Sequence, residues 1–303
     1  MTADATDRNR PSNGAGRGIA WMVLATALFA TQDTIGKYLT QSYPVPQVIW
    51  ARFAFHLLFA LLMVASHREG SLRSRRPGLQ LLRSVFMLVA NGLFLFAVRS
   101  MALVDASALL FVGPLFVTAL SVPLLGERVG PRRWAAVAVG FAGAMVIIRP
   151  GPTILQSVAI LPVLGAFSFA LYQIATRVLS RSDPPLTTLF YTALVGTVVT
   201  TAALPWHWQP PDVAGWVLLA SLGSMGALSQ LALIKAIQSA PLTVVVPFNY
   251  LTLVWATTFG YLVFGDLPDS ATVLGAVIIA GSGLYVLHRE RVRARDDTRQ
   301  RMG

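Results

Sequence analysis

Two stretches of the chain follow one plan, and together they decide the fold. The first, LLFVGPLFVTALSVPLLGERVGPRRW, covers residues 109–134, and the second, VVVPFNYLTLVWATTFGYLVFGDLPDSATV, covers residues 244–273. Each is an apolar run with an early proline that stops at a glycine followed by an acid, Gly126-Glu127 in the first copy and Gly265-Asp266 in the second. The first copy then turns basic and the second acidic, and this difference calls for an explanation.

The composition around these stretches indicates a membrane protein. Of the 303 residues, 55% are hydrophobic and 12% are charged, whereas a soluble domain carries about 25% charged residues. A membrane-spanning helix needs roughly 20 mostly apolar residues, and the long apolar runs do not show the dyad alternation of a membrane β-barrel. We therefore predict an all-α polytopic membrane protein with ten transmembrane helices. They lie near 18–39, 46–66, 79–99, 104–125, 132–149, 154–180, 185–204, 213–236, 241–264 and 270–288.

The basic residues fix the predicted orientation. With the N-terminus inside, 20 of the 24 lysines and arginines fall on the cytoplasmic side, which is the asymmetry of the positive-inside rule. This placement favours a membrane over nucleic acid as the reason for the net charge of +11. Residues 1–17 lack the pattern of a signal peptide and are predicted to be a disordered cytoplasmic tail. Residues 289–303 are predicted to be a second disordered cytoplasmic tail, which is basic, and the inner membrane is the expected location.

This orientation explains the two copies. The first copy is span four, which ends inside and is followed by Arg128, Arg132 and Arg133, whereas the second is span nine, which ends outside and is followed by Asp266 and Asp269. A repeat of five spans is odd, so its second copy enters the membrane upside down. We predict two inverted five-helix repeats, residues 18–149 and 153–288. Such repeats are typical of secondary transporters, in which the substrate site lies near the bilayer midplane between the halves.

The two stretches resemble the signature blocks of the drug/metabolite transporter superfamily, in the ten-helix bacterial group with two EamA repeats. The resemblance covers about residues 18–288. It implies a pseudo-dimer in one chain that functions as a monomer, with a cavity lined mainly by spans 1, 3, 4, 6, 8 and 9. The group includes amino-acid exporters and carriers of S-adenosylmethionine and riboflavin. Gly265-Asp266 departs from the usual Gly-Glu pair.

Charged side chains within the spans are expected to have partners, because each costs about 2.5–3.5 kcal/mol to insert on translocon scales. Asp33 pairs either with Lys37, four residues along the same helix, or with Arg52 of span two. Asp105 either pairs with Arg52 or complements the positive end of the helix dipole at the start of span four. A packing role is favoured over proton coupling for Asp33.

Uncharged polar residues within the spans are the candidates for a substrate cavity. Pro247 frees a backbone carbonyl beside Asn249 and Tyr250, and Phe111 and Trp255 lie deep enough to stack on a ligand ring. The alternative for the amides is hydrogen bonding between helices, worth about 0.6 kcal/mol on average in membranes. The cavity candidates are Gln32, Asn91, Tyr172, Gln173, Gln230, Asn249 and Tyr250.

Motifs of other functional classes do not occur in the sequence. There is no phosphate-binding Walker loop, no cysteine, and no grouping of acids and histidines with metal-ligand spacing, so we expect no enzyme, cofactor or metal. We predict a secondary transporter working by alternating access, with membrane lipids and a small molecule as its partners. Export of neutral or aromatic amino acids is the first expectation and uptake of S-adenosylmethionine or a similar nucleoside-like metabolite the second. A channel or facilitator pore is the alternative from another class.

Overall fold

The structure, a computed structural model, describes residues 12–66, 74–126, 129–149, 158–180, 182–240 and 242–302. Within these ranges it contains helices and no strand. The α-helices are Ser12–Ser42 (α1), Val45–Ser66 (α2), Pro77–Val98 (α3), Leu103–Leu110 (α4), Gly113–Leu125 (α5), Pro131–Ile148 (α6), Ile160–Leu179 (α7), Pro185–Ala203 (α8), Val213–Ser239 (α9), Leu242–Val245 (α10), Leu251–Phe264 (α11) and Ser270–Met302 (α12). Short 3₁₀-helices occupy Leu204–Trp206 and Val246–Tyr250.

The membrane-spanning fold predicted from the sequence is confirmed. In the described part of the chain, eight helical stretches are long and apolar enough to cross a membrane, with Leu103–Leu125 taken as one stretch, and Ser270–Val286 is a shorter apolar helix. Span four consists of α4 and α5. Span nine consists of α10, the 3₁₀-helix and α11, which completes the ten spans.

Both ends of the chain are more helical than the sequence predicted. Helix α1 begins at Ser12, inside the segment predicted to be a disordered tail, and the rest of that segment, residues 1–11, lies outside the described residues. Helix α12 continues to Met302, so the prediction of disorder after residue 288 is wrong. The segment from Leu284 to Met302 has no glycine or proline and is rich in arginine, which has a high helix propensity.

Spans four and nine are both interrupted by a proline. Helix α4 ends at Leu110 and α5 begins at Gly113, because Pro114 has no N–H to donate to the carbonyl of Leu110. Pro247 lies in the 3₁₀-helix that divides α10 from α11. Each of these two prolines therefore coincides with a break in its span. Pro162, in contrast, lies in the first turn of an unbroken α7, where a missing N–H is tolerated.

The glycines of the two sequence motifs are helix C-caps of one kind. Gly126 ends α5 with φ 69° and Gly265 ends α11 with φ 74°, a left-handed conformation that glycine adopts without steric cost. The N–H of each glycine donates to carbonyls of the preceding turn, those of Ser121 and Val122 for Gly126. The repeated Gly-acid pair is thus the signal that stops spans four and nine.

The helix packing has the symmetry of two exchanged repeats. Helix α1 packs on α9, and its counterpart α7 packs on α3. Helix α2 packs on α9, and its counterpart α8 packs on α3. Helix α1 also packs on α11 of span nine, and α7 packs on α4 and α5 of span four. The pairs α2 with α8, α6 with α12, and α4 with α11 are each their own counterpart. Every one of these contacts maps onto another or onto itself, as a pseudo-two-fold axis between inverted repeats requires.

The connections between helices follow the same symmetry, with a hydroxyl–carboxylate hydrogen bond whose two residue types are exchanged. At the predicted outer end, the Tyr43 hydroxyl donates to Asp212 Oδ1 at 3.3 Å, which ties the α1–α2 connection to the start of α9. At the predicted inner end, the Ser74 hydroxyl donates to Asp183 Oδ2, which ties the α7–α8 connection to the start of α3. Asp183 lies 140 positions after Tyr43. The acid therefore lies at the start of a helix in the first contact and in the connection in the second, while equivalent places are joined by a hydrogen bond in both.

Candidate functional site

The site begins where the two interrupted spans cross. Phe111 lies at the break of span four and Tyr250, 139 positions later, at the break of span nine. Their rings stack on each other, with centroids 4.9 Å apart and planes 24° apart. A Cβ added to Gly283 of α12 would lie 2.3 Å from the Tyr250 hydroxyl oxygen, so this glycine makes room for the phenol. The crossing of spans four and nine is therefore aromatic and lies on the axis between the repeats.

A second aromatic layer lies on each side of this crossing. Phe116 of α5 contacts Phe141 and Phe167, with centroid distances of 4.9 and 5.3 Å. Its counterpart 139 positions later is Trp255 of α11, whose indole N–H donates to Thr26 Oγ1 at 3.2 Å. Because the repeats are inverted, Phe116 lies towards the predicted inner end and Trp255 towards the outer end. Flat apolar surface thus extends in both directions from the crossing.

Asp33 and Arg52 form an ion pair between α1 and α2. Arg52 Nη1 lies 3.2 Å from Asp33 Oδ1, and Arg52 Nη2 donates to Gln32 Oε1 at 3.1 Å. The Gln32 amide nitrogen donates in turn to the Leu222 carbonyl of α9 at 3.0 Å. The expectation that Gln32 is free to bind a ligand is wrong, since this side chain is 1% exposed and both its polar atoms are engaged. Gly226 permits this contact, because a Cβ there would lie 2.3 Å from Gln32 Nε2.

Lys37 has a partner that is distant in sequence. Its ammonium nitrogen lies 2.5 Å from Asp266 Oδ2, donates to the Met101 carbonyl at 3.1 Å, and lies 4.5 Å from the centre of the Phe264 ring. The predicted alternative, a pair of Lys37 with Asp33, is therefore wrong. Asp266 is the acid of the second sequence motif, so the motif that ends span nine also joins α1 to that end.

Arg83 of α3 is a site candidate that the sequence analysis does not single out. It is 2% exposed and lies in the second turn of α3. Its donors reach Thr176 Oγ1 at 2.6 Å, Thr192 Oγ1 at 2.8 Å and the Thr188 carbonyl at 3.1 Å. The signal in the sequence is that residue 83 already lies within the predicted span 79–99.

Tyr172 is the acceptor of the fourth hydrogen bond of Arg83. Arg83 Nη2 donates to the Tyr172 hydroxyl at 2.7 Å, and the guanidinium carbon lies 4.3 Å from the centre of the Tyr172 ring. The Tyr172 ring also stacks on Phe169, at a centroid distance of 5.4 Å. Tyr172 and Tyr250 therefore have different neighbours, and the structure does not bring the two phenols into contact.

The remaining cavity candidates keep polar groups free. Among the described residues, the amides of Gln173, Gln230 and Asn249 have no hydrogen-bond partner, and Asn91 uses only its nitrogen, which donates to the Met87 carbonyl at 2.8 Å. Gln230 lies one helical turn from Gly226 on the α9 face that meets Gln32. These side chains keep free hydrogen-bonding capacity within the described part of the chain, in contrast to Gln32.

Asp105 lies in the first turn of α4, where its charge complements the helix dipole as expected. It does not pair with Arg52, whose carboxylate partner is Asp33. One buried carboxylate oxygen of Asp105 has no hydrogen-bond partner in the described part of the chain. Over the same residues, no three histidine, aspartate or glutamate side chains are grouped as metal ligands.

Comparison with known proteins gives consistent results. A sequence profile described as the EamA-like transporter family matches residues 16–149 and again 156–287. The chain is 33% identical to the riboflavin transporter of Vibrio cholerae, with 92% of this chain and 95% of that protein covered. It is 29% identical to the S-adenosylmethionine uptake transporter of Rickettsia bellii, with 90% and 94% covered.

Two further matches extend this comparison. The pseudopaline exporter CntI of Pseudomonas aeruginosa is 28% identical, with 86% of this chain and 93% of that protein covered. A solved crystal structure superimposes with a TM-score of 0.63 at 16% identity, covering 91% of this chain and 99% of the other. The second match supports the fold alone.

Proposed function

Since this chain belongs to the EamA-like transporter family, we propose that it is a secondary transporter that takes up a metabolite with a planar, nitrogen-rich ring. S-adenosylmethionine is the first candidate substrate. The proposed mechanism is alternating access of one central site to the two sides of the inner membrane, in a chain that functions as a monomer. Both termini lie in the cytoplasm in this proposal.

The observation that carries the proposal is the pair of interrupted spans that meet at Phe111 and Tyr250. Discontinuous helices at the interface of inverted repeats form the substrate sites of many secondary transporters. Polar backbone in a span is tolerated where it lines a cavity, because the hydrocarbon offers no hydrogen-bond partner. The two breaks therefore favour a binding site at the crossing over a purely structural role.

The chemistry around the crossing favours a heteroaromatic ring. Aromatic side chains stack on nucleobases with about 1–3 kcal/mol per base, and Trp255 and Phe116 provide such surfaces on the two sides. Free side-chain amides form paired hydrogen bonds with the edge of adenine. Asn249, next to Tyr250, keeps its amide free, and Gln173 and Gln230 are further free amides of spans six and eight. This combination matches an adenosyl group, and the uptake function named for the Rickettsia relative supports it.

Riboflavin is the second candidate substrate. Its ring system is also planar and nitrogen-rich, and the Vibrio relative, at 33% identity, is named a riboflavin transporter. Export of amino acids, which the sequence placed first, has no counterpart among these relatives and stays a prediction. The exporter from Pseudomonas supports the view that related chains work in either direction.

Counterflow in proteoliposomes tests this function. Vesicles loaded with unlabelled S-adenosylmethionine are expected to accumulate external labelled compound transiently, and the same is measured for riboflavin and for tryptophan. A saturable overshoot for S-adenosylmethionine supports the proposal, whereas an overshoot for tryptophan alone would assign the chain to amino acids. Uptake of all three compounds that neither saturates nor overshoots would indicate a pore.

A further inference from the structure

Arg83 differs from the other buried cations in its partners. Lys37 is paired with Asp266 and Arg52 with Asp33. The guanidinium of Arg83 bonds only to neutral oxygens, the hydroxyls of Tyr172, Thr176 and Thr192 and the carbonyl of Thr188. No carboxylate of a described residue forms an ion pair with it.

The nearby acid does not neutralise this charge. Asp183 joins the cluster only through Gln80, whose amide nitrogen donates to Asp183 Oδ2 at 2.8 Å and reaches Thr188 Oγ1 at 3.4 Å. Asp183 also accepts from the Ser74 hydroxyl and from the Arg75 N–H. A charge that is removed from water is costly unless an opposite charge compensates it. The cluster around Arg83 is therefore one negative charge short.

Hydrogen-bond donors remain at this place. A guanidinium has five N–H groups, and four hydrogen bonds to acceptors occupy four of them, which leaves one on Nη2. The Tyr172 hydroxyl accepts from Arg83, so its own proton is available to an acceptor. Both groups belong to the contact between α3 and α7, two of the helices expected to line the cavity.

We propose that Arg83 is the binding site for a carboxylate of the transported substrate, with Tyr172 as the second donor. The inference rests on the proposed function, and it narrows the substrate class to metabolites that carry an anionic group. S-adenosylmethionine has such a carboxylate and riboflavin has none, so the site favours the first candidate. Arg83 lies near the predicted inner end of α3, which places the anion on the cytoplasmic side of the crossing.

The test compares two substrates that differ in one group. Counterflow is measured in vesicles of neutral phosphatidylcholine with S-adenosylmethionine and with its decarboxylated analogue. The wild type is expected to bind S-adenosylmethionine more tightly than the analogue. Arg83→Gln is expected to raise the apparent KM for S-adenosylmethionine about tenfold or more and to leave the apparent KM for the analogue unchanged. Arg76→Gln, an exposed arginine at the start of the same helix, is the matched control, and Arg83→Lys is expected to be intermediate.

Three results would overturn the carboxylate site. The first is that the wild type has equal apparent KM values for the two compounds, and the second is that Arg83→Gln transports both compounds equally poorly. The third is that the wild type prefers the carboxylate compound only when anionic lipid is added to the vesicles. The second result would make Arg83 a helix-packing residue, and the third would assign the site to a lipid headgroup. If Arg83→Gln does not fold, Tyr172→Phe takes its place, because it keeps the ring and removes the donated proton.

A second measurement separates this inference from the proposed function. Sodium acetate, compared with sodium chloride at equal ionic strength, is expected to raise the melting temperature of the wild type and of Arg76→Gln but not of Arg83→Gln. If neither S-adenosylmethionine nor its decarboxylated analogue is transported, the proposed substrate is wrong. The acetate measurement then shows independently whether Arg83 binds a carboxylate. An acetate effect that is absent, or that persists in Arg83→Gln, would then overturn the site.

Discussion

Phe111 and Tyr250 occupy the same place in two inverted repeats and stack on each other, with ring centroids 4.9 Å apart. The contact joins the two spans that are broken by proline. Because a helix break and a ring stack coincide at both positions, a change in one ring acts on both halves of the molecule.

Loss of the Tyr250 ring is therefore expected to impair transport. An aromatic pair is worth about 0.5–1.5 kcal/mol beyond its buried area, so we expect Tyr250→Ala to lower kcat/KM in counterflow by roughly 2- to 13-fold or more. Tyr250→Phe keeps the stack and is expected to stay near the wild type. Tyr261→Ala, which changes an exposed tyrosine of the same span, is the control. Equal activity of Tyr250→Ala and wild type would move the substrate site away from the crossing.

The ion pair of Asp33 and Arg52 predicts a non-additive pattern of stability. Removing one partner of a buried pair leaves an uncompensated charge and costs about 3–5 kcal/mol. We expect Asp33→Asn and Arg52→Gln each to lower the folded yield and melting temperature more than the double variant does. If Asp33→Asn instead folds normally and only loses pH-dependent transport, Asp33 is a proton-coupling group and the packing role is wrong.

Lys37 is expected to couple to Asp266 and not to Asp33. In a double-mutant cycle, Lys37→Gln with Asp266→Asn should show an interaction energy of about 0.5–3 kcal/mol in melting experiments, as contacting residues do. The combination of Lys37→Gln with Asp33→Asn should be additive. The reverse pattern would mean that Lys37 forms its ion pair with Asp33 of the same helix. Since the bond joins α1 to the end of span nine, Lys37→Gln is also expected to increase labelling from outside of a cysteine placed near Thr40.

Asp183 predicts an acid-sensitive contact at the inner end. Burial alone would raise the pKa of its carboxyl, but hydrogen bonds from Ser74, Gln80 and the Arg75 N–H outweigh this and lower the pKa. A carboxyl whose folded pKa is lowered stabilises the protein above its unfolded pKa of about 3.9, and this stability is lost as pH falls through the folded pKa. The melting temperature of the wild type should exceed that of Asp183→Asn at neutral pH, and the difference should shrink below about pH 4. A difference that is independent of pH would contradict the role of the charge.

The predicted topology is testable by single-cysteine labelling, because the chain has no cysteine of its own. A membrane-impermeant thiol reagent applied to intact cells is expected to label Pro210→Cys, in the exposed loop before α9, and not Ser180→Cys, at the end of α7. The positive-inside distribution is the reason. Labelling of Ser180→Cys alone would reverse the orientation of every span.

The repeat was readable from the sequence because its signals are local. A left-handed glycine that ends a helix, as at Gly126 and Gly265, and a proline that interrupts one, as at Pro114, act within one or two turns. The partner of Lys37 was not readable in the same way, whereas Arg52 was one of two partners that the sequence offered for Asp33. Asp266 is 229 positions from Lys37, and no spacing rule distinguishes it from Asp33, which is four positions away.

Other features of the site required the packed structure. Arg83 is a helix residue whose partners come from α7 and α8, and the sequence shows only that it follows other arginines. Gln32 and Gln173 are both amides within spans, yet α9 supplies a partner for the first and the described residues supply none for the second. Which amide is free depends on the neighbouring helix surface, and such contacts between distant segments leave no periodic pattern.

The inverted symmetry also bears on the energy difference between the outward-open and inward-open states. If the two repeats were identical, exchanging their conformations would give the same molecule turned over, and the two states would be equally populated at rest. Any resting preference therefore comes from side chains that differ between equivalent positions. Arg83 is such a position, since Leu222 lies 139 positions later. The position of the acid in the Tyr43–Asp212 and Ser74–Asp183 contacts is a second difference. Substitutions at these few places can therefore invert the preference of the empty carrier for the outward-open or the inward-open state.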